Sequence, residues 1–216
     1  MIFRQCTIFS HGTAIETEVE GANIFMDHTT ISILGPSGVG IGGTGKGIEA
    51  ISPNFLWIDH CWINGAIQAI YVVGHPADPT ETKAQITINF SRLTNNWSQI
   101  LLNGLHLDPH IAIGWNEVLS RPGSTDAINI YRSSGIPGAP ILIHDNYVQG
   151  VAPATPDTLN FSGSGIVTDG DTADPLLATS SVEIANNQVV GCVTTGIALA
   201  FGLTRSPTIT WSCLAA

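Results

Sequence analysis

The chain has 216 residues, of which 44% are hydrophobic and only 11% are charged, and its formal net charge is −10. This length and apolar content suffice for the core of one domain and exclude a disordered protein. The seven Lys and Arg residues are scattered, so neither a nucleic acid nor an anionic membrane is an expected partner. No apolar run has the length of a membrane span, and the first residues lack a secretion-signal pattern, so composition leaves the localisation unknown.

A short pattern recurs eight times along the chain. Each copy has an apolar residue first, a small or amide residue three positions later and an aliphatic residue five positions later. The alternation of inward and outward positions predicts a short β-strand with one buried face in every copy. In chain order the copies begin at Phe3, Met26, Ile58, Ile88, Ile113, Ile143, Ile184 and Ile209.

Another strand is predicted after most copies, in segments such as TAIET, KGIEA and GAIQAIYVV. Stretches rich in Gly, Pro and Ser, such as GPSGVGIGGTGKG and GVAPATPDT, are typical of loops of variable length. Two or three short strands per repeat and no helical period predict an all-β parallel solenoid of about eight coils, formed by residues 1–216 as a single domain. An all-β sandwich is the alternative, but it does not explain why one column repeats its chemistry.

The third position after the start of each copy forms a column of small and amide residues. In a parallel stack these side chains lie about 4.8 Å apart, so neighbouring amides can form a hydrogen-bonded ladder at a bend of the coil. Cys61 is therefore predicted to be a ladder residue and not a nucleophile, and all four cysteines are predicted to be free thiols. The column consists of Cys6, Thr29, Cys61, Ser91, Asn116, Asn146, Asn187 and Ser212.

The segment NFLWIDHCWI, residues 54–63, carries the chemistry that most resembles a functional site. Inward-facing Leu56 and Ile58 place Trp57 and Asp59 on the solvent face. The preceding coil aligns Phe25 with Trp57 and Asp27 with Asp59, and the following coil offers Thr87 and Asn89, with His28 and His60 at the edge.

Aromatic rings pack against the apolar faces of sugars, and two neighbouring carboxylates can share a proton or hold a hard cation. We therefore expect a glycan site with Asp27, Asp59 and His60 as catalytic residues. Asp27 and Asp59 are alternatively ligands of Ca²⁺. The substrate-binding residues would be Phe25, Trp57, Asn89 and His28. The alternative for each residue is structural, because any solenoid stacks like residues.

The repeated I-x-x-N-x-V pattern resembles the right-handed, single-stranded parallel β-helix of the pectate-lyase-like superfamily, which has the pectin-lyase fold, along the whole chain. Trp57, Ile58, Asp59 and His60, followed by Cys61, resemble the WiDH segment of pectate lyases. The resemblance implies a groove that binds an extended polysaccharide, calcium-assisted β-elimination of polygalacturonate, and a secreted or cell-surface protein.

Several alternatives stay open from the sequence. The chain can be a polysaccharide lyase, a glycoside hydrolase or an isomerase on the same fold, or a non-catalytic solenoid such as a cell-surface or phage-fibre module. Because cationic residues are scarce, a polyanionic glycan would need a bridging cation, whereas a neutral one would not. Neither end shows a polar or helical cap, which predicts a fragment of a longer β-helix.

Overall fold

The computed structural model describes residues 1–18, 20–35, 44–74, 84–106, 110–150, 163–170, 177–192 and 194–199. These residues form three parallel β-sheets of seven strands each, so the prediction of an all-β chain with parallel strands is confirmed, and the arrangement is consistent with a parallel β-solenoid or β-helix. The described part of the chain contains no α-helix, and so no helix there that is long and apolar enough to span a membrane.

Successive coils contribute one strand to each sheet, and every strand pairs in parallel with its counterparts in the neighbouring coils. The first sheet consists of Ile2–Arg4 (β1), Asn23–Asp27 (β4), Phe55–Asp59 (β7), Gln85–Asn89 (β10), His110–Gly114 (β13), Ile141–His144 (β16) and Val182–Ala185 (β19). The second consists of Thr7–Ser10 (β2), Thr30–Ile33 (β5), Trp62–Asn64 (β8), Arg92–Thr94 (β11), Glu117–Leu119 (β14), Tyr147–Gln149 (β17) and Gln188–Val190 (β20). The third consists of Ile15–Thr17 (β3), Ile48–Ile51 (β6), Gln68–Val73 (β9), Ser98–Asn103 (β12), Asp126–Tyr131 (β15), Ser164–Asp169 (β18) and Ile197–Leu199 (β21).

The register of the first sheet follows the sequence repeat. The starting residues of seven copies pair in one column, from Phe3 with Met26 to Ile143 with Ile184. These strands alternate buried and partly exposed residues, so their aliphatic side chains line the interior. Complete burial of one such side chain contributes about 1.5–3 kcal/mol, and the solenoid repeats that contribution in every coil. The eighth predicted copy, at Ile209, lies outside the described residues.

Each of the seven described copies differs from the sequence prediction, because it holds two strands and not one. A two-residue bend separates them, and the ladder residue is the second residue of that bend. The first residue of the bend has left-handed backbone. These left-handed residues are Gln5, His28, His60, Phe90, Trp115, Asp145 and Asn186, with φ between 47° and 55°.

The predicted ladder is present at these bends. Asn116 Nδ2 donates to Asn146 Oδ1 at 3.0 Å, and Asn146 Nδ2 donates to Asn187 Oδ1 at 2.8 Å. Ser91 N donates to Asn116 Oδ1 at 2.9 Å, and Cys61 N donates to Ser91 Oγ at 3.1 Å. The ladder therefore supplies the bend backbone with partners inside a low-dielectric core, where an unpaired group is costly.

Candidate functional site

The outward face of the first sheet carries the predicted site residues in two adjacent columns. Trp57 pairs in register with Phe25 and with Thr87, and Asp59 pairs with Asp27 and with Asn89. All six side chains are partly exposed, as the inward–outward alternation predicted. The aromatic column and the column of carboxylates and an amide therefore lie side by side, two residues apart on each strand.

Ring faces in the aromatic column are largely covered. Phe25 and Trp57 stack with centroids 6.1 Å apart and planes 18° apart, and Phe55 lies 6.1 Å from Trp57. The Arg4 guanidinium lies 5.1 Å from the Phe25 centroid. In the next coil, however, the residue aligned with Trp57 is Thr87, whose side chain is too small to cover an indole. Within this column, no ring from the following coil therefore covers Trp57.

Each carboxylate in the neighbouring column binds the imidazole that follows it in sequence. Asp27 Oδ1 lies 2.6 Å from His28 Nδ1, and Asp59 Oδ2 lies 2.9 Å from His60 Nδ1. An ionised carboxylate only accepts hydrogen bonds, so in the neutral ring Nδ1 carries the proton and Nε2 is the basic nitrogen. Both pairs are accessible, because the side chains of His28 and His60 are 57% and 47% exposed.

Four of the seven left-handed bend residues carry rings, and these rings form a stack that the sequence analysis missed. Parallel stacking joins His28 to His60 at 4.7 Å, His60 to Phe90 at 5.1 Å and Phe90 to Trp115 at 5.1 Å. The ring of His144 meets Trp115 edge-on at 4.5 Å. We call these five residues the bend stack. Because the four parallel rings cover one another's faces, they present mainly their edges to solvent.

A sequence signal for most of the bend stack does exist. His28, His60, Phe90 and Trp115 each directly precede a ladder residue, so one column next to the ladder would have revealed them. His144 belongs instead to the column of Asp59 and Asn89. Its ring occupies the space over Gly114, where an added Cβ would lie 2.6 Å from the imidazole.

Cys61 behaves as the sequence predicted. It is 2% exposed and hydrogen-bonds to the carbonyl oxygen of Asp59 at 3.2 Å. Burial raises the pKa of its thiol to about 11, so the nucleophilic thiolate is scarce at neutral pH. Cys6, Cys61 and Cys192 are all free, in agreement with the predicted absence of disulfides, and Cys213 lies outside the described residues.

The donor atoms at this site suit calcium poorly. Calcium takes six to eight oxygen ligands. The two carboxylates each give one oxygen to an imidazole, and Asn89 Oδ1 accepts from Gly114 N at 3.2 Å. The nearest additional donors are imidazole nitrogens, which calcium disfavours. One donor atom from each of Asp27, His28 and His60 lies within 4.8 Å of the others.

Residues 36–43 of the predicted loop GPSGVGIGGTGKG and residues 151–158 of the predicted loop GVAPATPDT lie outside the described residues.

No protein-family model matches the chain, and no curated protein and no solved structure matches it. The geometry described above is consequently the basis for any functional conclusion.

Proposed function

We propose that this chain is a carbohydrate-active β-helix protein that binds an extended polysaccharide on the outward face of the first sheet. The observation that carries the proposal is the pair of adjacent columns around Trp57 and Asp59, in which rings lie beside carboxylates and an amide in successive coils. Sugars need this combination, because their C–H faces pack on rings while their hydroxyls exchange hydrogen bonds with oxygen and nitrogen atoms.

The side of Trp57 next to Thr87 is the proposed sugar platform. A ring of the glycan that lies over Thr87 would contact the indole face and bring its hydroxyls within reach of Asp59 and Asn89. In this arrangement Phe25 supports Trp57 from the opposite side, since their rings stack at 6.1 Å. Its contribution is therefore to orient the indole more than to contact sugar.

The charge of the chain favours a neutral or lightly charged glycan. A formal net charge of −10 with only seven Lys and Arg residues repels a polyanion. A bridging calcium ion would relieve that repulsion, but the donor set around Asp27 and Asp59 provides few free oxygens.

For bond cleavage the proposed base is His60. Asp59 holds Nδ1 of this ring at 2.9 Å, and this orientation leaves Nε2 to accept a proton. A hydrolase would use it to activate water, and a lyase would use it to remove a proton from a sugar carbon. Asp27 and His28 supply the equivalent pair in the adjacent coil.

The test is a panel of polysaccharides, incubated with the protein in calcium and in chelator, with reducing ends and the ultraviolet absorbance of unsaturated products both followed. Reducing ends alone indicate a hydrolase, and added absorbance indicates a lyase. Asp59→Ala should abolish product formation, whereas Asp145→Ala, which disrupts a carboxylate–imidazole pair with the same 2.9 Å spacing at His144, should not. Equal activity of both variants and wild type would refute His60 as the base, and absence of binding to every glycan would refute the proposal.

A non-catalytic structural solenoid is the second candidate, and one observation favours it. Rings of the bend stack pack on one another, and Arg4 covers Phe25, as expected where stacking only supports the coils. For this candidate the panel gives no binding, and removal of Trp57 alters only stability.

A further inference from the structure

We propose that Asp27, His28 and His60 form a site for one divalent transition-metal ion of the zinc, nickel and copper class. This inference goes beyond the proposed glycan function and does not depend on it, although His60 cannot act as the free base of that function while it binds an ion. The observation behind it is the convergence of one carboxylate and two imidazoles from adjacent coils, with a donor atom of each within 4.8 Å of the others.

The spacing of these donors is close to that of a metal site. Zinc binds imidazole nitrogen and carboxylate oxygen at about 2.0–2.2 Å, so two of its ligands lie at most about 4 Å apart. Binding one ion therefore requires the Asp27 carboxylate to leave His28 Nδ1 and the donor atoms to approach from within 4.8 Å of one another. The side chains have room for that movement, because Asp27, His28 and His60 are 29%, 57% and 47% exposed.

The two rings are stacked face to face, so their in-plane lone pairs are parallel and one ring must tilt for both to bind one ion. His28 and His60 are parallel within 1° with centroids 4.7 Å apart. Their carboxylate partners, Asp27 and Asp59, are directly paired in the first sheet, so both rings turn corresponding edges in the same direction. If Nε2 of His60 binds the ion, Asp59 holds the other ring nitrogen, Nδ1. In metal proteins such a carboxylate fixes the ring and raises its basicity.

The chemistry of the donors selects the metal. Imidazole nitrogen suits zinc, nickel and copper, whereas calcium and magnesium take oxygen ligands. The net charge of −10 attracts cations in general, so selectivity must come from the two imidazoles.

His144 provides an internal control, because it forms a carboxylate–imidazole pair without a second imidazole beside it. This residue pairs with Asp145 at 2.9 Å, the same distance as between His60 and Asp59. Its aligned neighbours are Gly114 and Ala185, so no second imidazole lies beside it in the sheet. Its side chain is also only 13% exposed. A single carboxylate–imidazole pair is therefore present without a convergent donor set.

Calorimetric titration of the untagged full chain with Zn²⁺, Ni²⁺, Cu²⁺ and Ca²⁺ at neutral pH tests the proposal. We expect one Zn²⁺ per chain at micromolar or tighter affinity and no calcium binding at that concentration. His28→Phe and His60→Phe should each weaken zinc binding at least tenfold, because each removes one of three donors. Phe is chosen because Phe90 holds the same left-handed bend position with a stacked ring, so the variants keep the stack.

His144→Ala is the matched control and should leave zinc affinity within twofold of wild type. With Cu²⁺, electron paramagnetic resonance should show coupling to two nitrogens in wild type and to one in either Phe variant. Millimolar or absent zinc binding would overturn the proposal, as would unchanged affinity in His60→Phe or an equal loss in His144→Ala. None of these readouts involves a glycan, so failure here is distinguishable from failure of the glycan proposal.

Discussion

The left-handed first residue of each bend is an unusual position for an aromatic or imidazole ring. His28, His60, Phe90 and Trp115 all have φ between 47° and 54°. For an L-residue other than Gly or Asn this conformation costs about 1–2 kcal/mol, whereas one aromatic contact contributes about 0.5–1.5 kcal/mol. At the middle of these ranges, the three parallel contacts offset about half of the conformational strain of the four residues. The surrounding coils therefore hold these residues in place, as they do Gln5, Asp145 and Asn186 at the same position of other bends.

Asn116 shows what a single ladder residue contributes. It is 2% exposed, donates to Ile88 O at 2.7 Å and accepts from Ser91 N at 2.9 Å. Asn116→Ala leaves buried backbone groups without partners, so we expect a loss of about 2–4 kcal/mol of unfolding free energy in urea melts.

The control for the ladder residue is Asn95→Gly. Asn95 is exposed, donates one bond to Asn64 Oδ1 at 2.9 Å and has φ 56°, which Gly tolerates. We expect a loss of about 0.5 kcal/mol or less. Similar losses in the two variants would contradict the energetic role of the ladder.

The partly buried carboxyl of Asp126 should make the stability of the folded protein depend on pH. Burial raises its pKa above the usual 3.8, and the hydrogen bonds from Asn129 and Ser164 oppose that shift only in part. The folded state then holds the proton more tightly than the unfolded state, so this group favours folding below pH 3.8 and loses that contribution as pH rises through its folded pKa.

The variant Asp126→Asn stays neutral at every pH and should remove this dependence. In urea melts from pH 3 to 7 we expect the stability of the variant, relative to wild type, to increase with pH. A constant difference over that range would show that the carboxyl does not titrate differently in the two states.

At the scale of the strand, the sequence predicted the first sheet well. Each strand has one buried face and stacks in register, so the columns of Ile58 and Asp59 followed from periodicity alone. The two strands within each copy did not, although the alternation shifts at the bend, where two outward residues such as Asp59 and His60 follow one another, because the bend is only two residues long. Nor did the contact of His144 with Trp115, since it depends on the space that Gly114 leaves in another coil.

Close packing between coils limits substitution inside the elements. A Cβ at Gly47 would lie 2.5 Å from the Ala69 carbonyl oxygen and 2.6 Å from Ile63 Cγ2. Gly47→Ala should therefore cost about 1–3 kcal/mol through displacement of the neighbouring backbone. Thermal unfolding measures the effect, with Gly12→Ala as the control, since no heavy atom lies within 4 Å of its added Cβ. Equal midpoints for the two variants would mean that the coils separate more easily than their register implies.

For the molecule as a whole, the fold places two kinds of chemistry on one outer surface. The first sheet carries Trp57 and its neighbours, and the adjoining bend carries the imidazoles that contact Asp27 and Asp59. A parallel solenoid repeats each position in every coil, so a few changes along one column alter an extended surface without altering the core. Such a surface suits a long ligand more than a compact one.

The affinity of wild type, Trp57→Ala and Trp97→Ala for the polysaccharides of the panel tests the central claim most directly. Trp97 is a matched control, because it is 37% exposed but lies outside the first sheet, with the Arg121 guanidinium 4.1 Å from its ring centroid. The account predicts that wild type binds a neutral polysaccharide, that Trp57→Ala weakens binding about tenfold, or about 1.4 kcal/mol, and that Trp97→Ala has no effect. Equal affinities of Trp57→Ala and wild type, or no binding by wild type, would contradict it.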